Sequence, residues 1–369
     1  MKKVVSFSGG RTSAYLCHLM MERFKGDVDF VFMDTGAEHP KTYEFINNVD
    51  KEIMKGGLAH IRTSYTPIGT KSGNEFEIMK LPKFALTISS IKGRLIRGLQ
   101  VIGDKFIGCN LRSWEGMTKK YGVPYIGGMF CNDRMKLVPY NKYCDFVYGK
   151  KNYQTWLGIR FDEPARLVGD NKKKSLSVYK QLKSLGFSND EISTMYCDAR
   201  SGKVSIDDMA IPENVKDLFK VRISALDAKG IHYLAELDAD FDKDESFRWW
   251  SEQSFDLEIP DYLGNCVFCP KKSDLKLAAA QRDEPELYHD FLNMIYSDSV
   301  RHDNKTGHWS QMYRGKKSLE QVIGMFDGST GDEIKARIRG TKATNTGSCS
   351  ESCEVFVCES NQIGLFDGE

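Results

Sequence analysis

The sequence predicts an α/β protein with a Rossmann-like, doubly wound and mostly parallel sheet. The segments 2–7 and 29–33 are short runs of β-branched and aromatic residues, which is typical of buried strands. Apolar residues at helical spacing lie between them, so the two strands should be parallel and joined by a right-handed crossover. Helical patterns after residue 166 predict a helical insertion and a helical C-terminal part.

The turn after the first strand has the composition of an anion site. A glycine pair interrupts the strand pattern, and helical spacing of apolar residues begins at Thr12. A helix start presents unpaired N–H groups and partial positive charge, and Arg11 adds a full charge, so the turn suits phosphate or sulfate. An ordinary capped turn is the alternative. The candidate anion-binding residues are Ser6, Ser8, Gly9, Gly10, Arg11, Thr12 and Ser13.

A second polar turn follows the second strand. Asp34, Thr35, Gly36 and Glu38 come directly after the apolar run that ends at Met33. Loops that follow parallel strands gather at one edge of the sheet, where ligands bind, so we expect these residues beside the first turn. A solvated turn rich in small polar residues is the alternative.

Two arginines follow a later strand pattern. The strand-like run that ends in Gly158 and Arg160 is followed by Arg166. Arginine makes bidentate contacts with phosphate and sulfate that lysine cannot make. Arg160 and Arg166 are therefore candidates for an anion clamp, with surface ion pairs as the alternative.

Composition places the chain among ordinary globular proteins. It is 41% hydrophobic and 28% charged over 369 residues, and its net charge of +1 provides no whole-chain attraction to nucleic acid or membrane. No apolar run approaches the roughly 20 residues of a membrane span, and the N-terminus lacks a signal-peptide core. We therefore expect a cytoplasmic protein that does not associate with a membrane.

Ten cysteines in such a protein point away from structural disulfides and toward metal ligation or redox chemistry. Cys266 and Cys269 form a Cys-x-x-Cys turn bounded by Gly264 and Pro270. This spacing brings two thiolates to one point, as zinc and iron–sulfur sites require. A thioredoxin-type redox pair and a coincidence are the alternatives, although no thioredoxin-like context surrounds the pair.

Several of these motifs resemble the PP-loop family, which includes the ATP pyrophosphatases and the phosphoadenosine phosphosulfate (PAPS) reductases. The family's Ser-Gly-Gly-Lys-Asp-Ser loop corresponds to Ser-Gly-Gly-Arg-Thr-Ser at residues 8–13, where Arg11 replaces the lysine and Thr12 the aspartate. The Thr-Gly pair of the second turn and the Gly-x-Arg motif resemble later family motifs. The resemblance covers separated motifs within residues 1–60, 130–166 and 230–275, in the family's order. It implies that these turns bind an adenine nucleotide, either ATP or PAPS.

The same resemblance implies a cofactor and catalytic residues. A cysteine followed by a basic pair and a proline is found in PAPS-reductase-like proteins, and Cys131 with Arg134, Lys136 and Pro139 is similar to it. In the sulfur enzymes of the family a Cys-x-x-Cys pair and a distant cysteine hold an iron–sulfur cluster. A [4Fe–4S] cluster is thus implied, with zinc as the alternative and Mg²⁺ as a further candidate. The implied metal ligands are Cys131, Cys266, Cys269 and, as a weaker candidate, Cys144, and the implied catalytic residues are Arg11, Lys136 and Arg160.

Three functions stay open at this point. The leading one is a sulfonucleotide reductase that uses a thiol reductant, which the loss of the loop aspartate favours. The second is an ATP-dependent sulfurtransferase that adenylates and thiolates an acceptor such as tRNA. The implied iron–sulfur cluster favours this function. The third is an accessory protein associated with nucleotides or DNA that catalyses nothing. A homo-oligomer is compatible with each of them.

The motif order divides the chain into four predicted parts. Residues 1–166 form the nucleotide-binding core, 167–230 a helical insertion, and 231–326 the remainder of the core with the Cys-x-x-Cys turn. Residues 327–369 are rich in Gly, Ser and Thr and are predicted to be a flexible tail. The tail carries Cys349, Cys353 and Cys358, which could deliver a thiolate or be incidental.

Overall fold

A computed structural model describes residues 1–64, 75–80, 99–101, 110–126, 130–171, 173–301, 313–314 and 316–340. The three tail cysteines, Cys349, Cys353 and Cys358, lie outside the described residues.

A twisted sheet forms the centre of the molecule, and its strand order is β5-β4-β3-β2-β1-β6-β7. Strands β3, β2, β1, β6 and β7 are parallel, with Val5 of β1 paired to Phe30 on one side and Trp156 on the other. At one edge β4 runs antiparallel to β3, and β5 lies beyond it. The strands are β1 Lys2–Phe7, β2 Val28–Asp34, β3 Leu58–Ser64, β4 Glu75–Lys80, β5 Leu99–Val101, β6 Tyr153–Leu157 and β7 Ile231–Tyr233.

Helices cover both faces of this sheet. Helix α9, Glu213–Lys229, lies within the predicted helical insertion. A π-helical turn, Asp133–Leu137, joins α4 to α5. The helices are α1 Arg11–Phe24, α2 Pro40–Glu52, α3 Arg112–Tyr121, α4 Phe130–Asn132, α5 Val138–Tyr148, α6 Pro164–Val168, α7 Val178–Ser184, α8 Asn189–Ser201, α9 Glu213–Lys229, α10 Lys243–Ser251, α11 Asp274–Asp283, α12 Pro285–Ile295, α13 Leu319–Gly324 and α14 Gly331–Gly340.

The two faces of the sheet bury different hydrophobic clusters. Val5 and Phe30 pack with α1, α2 and α10, whereas Val4 and Val31 pack with α5 and the inserted helices α6–α9. Side chains alternate between the faces along each strand, which explains why the strands are nearly continuous apolar runs. The predicted doubly wound α/β fold, with its helical insertion and helical C-terminal part, is confirmed.

A third hydrophobic cluster lies in the C-terminal part, where α3 and α11–α14 surround Phe268. Helix α14 lies within the segment predicted to be a flexible tail. Ile334 of α14 is fully buried, and Lys335 forms an ion pair of 2.7 Å with Asp283 of α11. The apolar residues of α14 are sparse, so the Gly-rich composition around them concealed a helix that is stabilised by its packing partner.

None of the described helices has the length and apolar character needed to cross a membrane.

Candidate nucleotide site and cysteine cluster

A cleft that is partly open to solvent lies at the carboxyl ends of β1 and β6. This is the edge at which parallel α/β sheets bind ligands. The cleft brings together ten residues that the sequence analysis assigned to anion binding. They are Ser6, Ser8, Gly9, Gly10, Arg11, Thr12, Ser13, Gly158, Arg160 and Arg166.

The glycine loop, defined as residues 8–13, holds its own shape with its serine hydroxyls. Ser13 Oγ donates to the Gly10 carbonyl over 2.9 Å, lies 2.8 Å from Ser8 Oγ and accepts the Ser8 N–H over 3.2 Å. The first hydrogen bond of α1 runs from the Ala14 N–H to the Gly10 carbonyl. The backbone N–H groups before it, at the positive end of the helix dipole, are the ones a bound anion would use.

Two glycines are required for this geometry. Gly9 has φ +81°, and a Cβ there would lie 3.0 Å from Ile46 Cδ1. A Cβ on Gly158 would lie 3.0 Å from Ser13 Cα and 3.1 Å from Ser13 N. The chain after β6 therefore passes directly over the start of α1, and a larger residue at position 158 would press on the N–H groups of the glycine loop.

Arg11 is engaged by the C-terminal part of the chain. Its guanidinium forms a bidentate ion pair with Asp256, with distances of 2.7 and 2.9 Å, and donates to the Leu257 carbonyl over 2.5 Å. The Nε and Nη2 donors of Arg11 are therefore used within the protein. This arrangement makes Arg11 a brace between the glycine loop and residues 256–257, in addition to a source of positive charge in the cleft.

The two arginines after β6 are also held by neighbouring carboxylates. Arg160 forms a fork with Asp162, at 2.7 and 3.1 Å, and donates to Thr12 Oγ1 over 3.2 Å. Burial acts to lower the pKa of Arg160, but the carboxylates of Glu163 and Asp162 outweigh it and raise the pKa. Arg166 donates to Glu163 over 2.6 Å. Both arginines are buried, so their charges reach the cleft with little screening by water.

The acidic loop, defined as residues 34–38, does not line this cleft. Asp34 is buried and accepts hydrogen bonds from the Gly36 N–H, Tyr43, His60 and Arg62. Burial acts to raise the pKa of Asp34, but the His60 hydrogen bond and the charges of His60 and Arg62 lower it to about 2. The Asp34 carboxylate is therefore an internal anchor of the loop.

The rest of the acidic loop faces the Cys-x-x-Cys turn. Thr35 Oγ1 lies 2.8 Å from a Glu38 carboxylate oxygen and 3.3 Å from Cys266 Sγ. Gly36 has φ +78° and accepts the Asn110 N–H over 2.9 Å. Lys136 Nζ lies 3.8 Å from Glu38. Burial and the Glu38 charge raise the pKa of the Cys266 thiol, and the charge of Lys136 opposes them. Thr35, Gly36, Glu38 and Lys136 thus belong to the surroundings of the thiols.

Three of the four cysteines predicted as metal ligands lie in one cluster with Tyr313. Burial raises the pKa of the Cys131 thiol to about 12; the charge of Cys269 adds to the increase, and Lys136 opposes it. Burial also raises the pKa of Tyr313, and the charges of Cys269, Cys266 and Cys131 raise it further. Within the described part of the chain, no three His, Cys, Asp or Glu side chains are arranged to hold a metal ion.

Cys144 lies elsewhere, in the hydrophobic cluster between the sheet and helices α5–α9, beside Tyr140 of α5. The structure therefore separates it from the other three cysteines, because α5 turns this face toward the sheet. Its packing among apolar side chains explains its presence.

Backbone contacts fix the Cys-x-x-Cys turn. The buried Lys272 ammonium donates to the carbonyls of Val267, over 2.9 Å, and Tyr262, over 2.6 Å. The Val267 N–H donates to the Ala37 carbonyl over 3.0 Å. Asn265, the residue before the turn, lines the nucleotide cleft. The cleft and the thiols are therefore neighbouring sites on one connected backbone.

Helix α10 supplies residues that the sequence analysis did not assign to the site. Lys243, Ser246 and Phe247 line the cleft opposite the glycine loop. Their only sequence signal is the spacing of one helical face, which does not distinguish a ligand wall from an exposed surface.

Two comparisons with known proteins bear on this site. The family model described as the phosphoadenosine phosphosulfate reductase domain matches residues 2–74. Over 360 residues the chain is 36% identical to the uncharacterized nin region protein ORF290 of Escherichia phage lambda, and this match covers 96% of each chain. No solved structure matches the chain.

Proposed function

Because the chain belongs to the phosphoadenosine phosphosulfate reductase-like family of the adenine nucleotide alpha hydrolase-like superfamily, we propose that it binds an adenine nucleotide in the cleft and uses it in sulfur metabolism. The observation that carries the proposal is the convergence of the glycine loop, Gly158, Arg160 and Arg166 on one cleft. The N–H groups at the start of α1 would hold a phosphate, and the buried arginines would stabilise a second negative group.

Reduction of a sulfonucleotide such as PAPS is the leading activity. A thiolate of a thiol reductant attacks the sulfonate sulfur, an S–S bond forms, and the S–O bond to the nucleotide breaks, which releases adenosine 3′,5′-bisphosphate. A second thiol then attacks the sulfur of the first, which yields a disulfide and sulfite. Two thiols are oxidised and one sulfur is reduced. In this scheme Arg160 and the loop N–H groups stabilise the leaving phosphate, Arg11 holds the loop in place, and Lys136 stabilises negative charge near the thiols.

The cysteine cluster supports the accompanying proposal of an iron–sulfur centre. Cys131, Cys266 and Cys269 are not arranged to hold a metal ion in this structure, but they share one cluster and would be the ligands after local rearrangement, since thiolates are the donors that iron–sulfur clusters and zinc prefer. The Tyr313 hydroxyl beside them is buried and has no hydrogen-bond partner among the described residues, so it is a ready donor to a bound thiolate or sulfide. When bound, such a centre supplies electrons or sulfur.

An ATP-dependent sulfurtransferase is the second candidate, and a feature of the cleft favours it. Asp261 lines the cleft, and a carboxylate is the kind of side chain that holds Mg²⁺ beside nucleotide phosphates. In this reaction an acceptor, such as a tRNA base, takes the adenylyl group with loss of pyrophosphate, and a sulfur nucleophile then displaces AMP.

Anaerobic incubation of the purified protein distinguishes these activities. Release of sulfite from PAPS with dithiothreitol supports the reductase, and release of pyrophosphate from ATP with tRNA supports the transferase. Nucleotide binding without either product leaves the accessory function. A colourless protein that contains zinc and no iron would exclude the iron–sulfur centre, whereas loss of visible absorption in Cys266→Ala and Cys131→Ala, with Cys144→Ala unchanged, would support the three ligands named here.

Nucleotide binding itself is tested by Gly9→Asp, which places a carboxylate in the glycine loop. The matched control is Gly186→Asp, where the glycine has φ +94° and no neighbour within 4 Å. We expect ATP or PAPS affinity to fall at least tenfold in the first variant only. Equal affinities in both variants would show that the glycine loop is not the phosphate site.

A further inference from the structure

A hydrogen bond from a buried tryptophan joins helix α10 to the glycine loop. The indole N–H of Trp250 donates to the Arg11 carbonyl over 3.1 Å. Trp250 is fully buried, and its ring packs against Phe45 and Phe255 with centroid distances of 4.9 and 5.7 Å. The orientation of α10 relative to the anion site is therefore set by a buried hydrogen bond and an aromatic core.

This orientation turns a charged and aromatic face of α10 into the cleft. Lys243 and Phe247 are four residues apart, so they lie one above the other on that face. Phe247 is 43% exposed although it lines the cleft. An aromatic ring exposed in a concave polar site is a surface that a planar ligand can cover.

Two cations also lie near the ring. The Arg11 guanidinium carbon is 5.0 Å from the Phe247 ring centroid, and Lys243 Nζ is 5.8 Å from it. An aromatic surface flanked by positive charge, next to helix N–H groups, is suited to a ligand that combines a planar ring with negative charge. A nucleotide has both features.

We propose that Phe247 is the stacking platform for the base of the bound nucleotide, with Lys243 facing the nucleotide's charge. This inference rests on the proposed nucleotide site and deepens it. The phosphates bind the start of α1, the base lies against α10, and Arg11 joins the two ends of the site.

Calorimetric titration of the full chain tests the platform. ATP and PAPS are each titrated into the wild-type protein, and the nucleotide that binds more tightly is compared with inorganic pyrophosphate, which has no base. Phe247→Ala should weaken nucleotide affinity about tenfold, at the lower end of what base–aromatic stacking contributes, and change pyrophosphate affinity less than twofold. Phe247→Trp should restore nucleotide affinity, since indole also stacks.

The control is Phe146→Ala, because Phe146 is 37% exposed and does not line the cleft. It should bind nucleotide and pyrophosphate as the wild type does. If the wild type binds nucleotide and Phe247→Ala binds it equally well, or loses pyrophosphate affinity to the same extent, the platform is overturned and the nucleotide site stands. If the wild type binds neither nucleotide, the proposed function fails first.

Discussion

The glycine loop and the acidic loop occupy equivalent places in the fold and are built in opposite ways. Each follows a parallel strand, β1 or β2, and precedes a helix. In the glycine loop the Ser8 and Ser13 hydroxyls bond each other, and the residues at the helix start line the cleft. In the acidic loop the Asp34 carboxylate is surrounded by donors from within the protein.

This difference shows what position at the carboxyl edge of a sheet does and does not determine. The edge places a loop near a ligand, but the loop binds only if its polar groups are left for the ligand. The Asp34 carboxylate is paired with His60 and Arg62 in the interior. The Glu38 carboxylate contacts Thr35 and Lys136. The acidic loop is therefore a support that joins the sheet to the cysteine cluster.

The largest expected effect comes from Asp34→Asn. The substitution leaves the Arg62 charge buried without this carboxylate, which should lower the free energy of unfolding by about 3–5 kcal/mol. Denaturant unfolding measures the change. The exposed Asp27, which pairs with Lys2 and Lys3, offers the control Asp27→Asn, and this variant should unfold with the wild type. A small effect at Asp34 would mean that the acidic loop keeps its carboxylate for a ligand.

The same contrast predicts a dependence on pH. Because the folded-state pKa of Asp34 is lowered to about 2, its stabilisation is present above the unfolded pKa near 4 and is lost as the pH falls toward 2. The contribution is on the order of 2 kcal/mol. Unfolding free energies measured from pH 5 to pH 2 should therefore fall more steeply in the wild type than in Asp34→Asn, whereas parallel curves would contradict the assignment.

The parts of this architecture that the sequence predicts are those encoded locally. The strand, the glycine pair and the helix start that form the glycine loop lie within about fifteen residues, so their pattern predicts both the fold and the candidate anion site. The Cys-x-x-Cys turn is local in the same sense. Residues that reach the site through the tertiary fold carry no such pattern.

Asp256, Lys243 and Phe247 illustrate why the remainder was not predictable. Asp256 meets Arg11 across 245 positions of the chain, and an aspartate in that segment has no distinguishing neighbour in the sequence. The internal partners of Asp34 were not predictable for a different reason. Whether a carboxylate faces a ligand or the interior depends on His60 and Arg62, which come from the next strand and form the internal partners only when β3 pairs with β2.

Gly158→Ala tests the glycine loop with a smaller change. The added Cβ meets the backbone of Ser13 at 3.0–3.1 Å, so the start of α1 must shift. We expect a loss of about 1–2 kcal/mol of stability, as overpacking usually causes. Nucleotide affinity in calorimetric titration should fall several-fold. Gly328→Ala is the control, because a Cβ there meets nothing within 4 Å, and both quantities should stay unchanged.

The smallest effect concerns the ion pair between Arg11 and Asp256. It tests whether Arg11, the one charged residue of the glycine loop, positions the loop or contacts the anion. The side chains are 18% and 30% exposed, so a double-mutant cycle of Arg11→Ala and Asp256→Ala in unfolding should give a coupling of about 1 kcal/mol.

If Arg11 acts by bracing the loop, each single variant weakens pyrophosphate binding, and the double variant weakens it no further. If Asp256→Ala instead leaves or strengthens pyrophosphate binding while Arg11→Ala weakens it, Arg11 contacts the anion directly. The glycine loop would then offer the ligand a charged side chain as well as its backbone N–H groups, whereas the charge of Asp34 in the acidic loop is paired inside the protein.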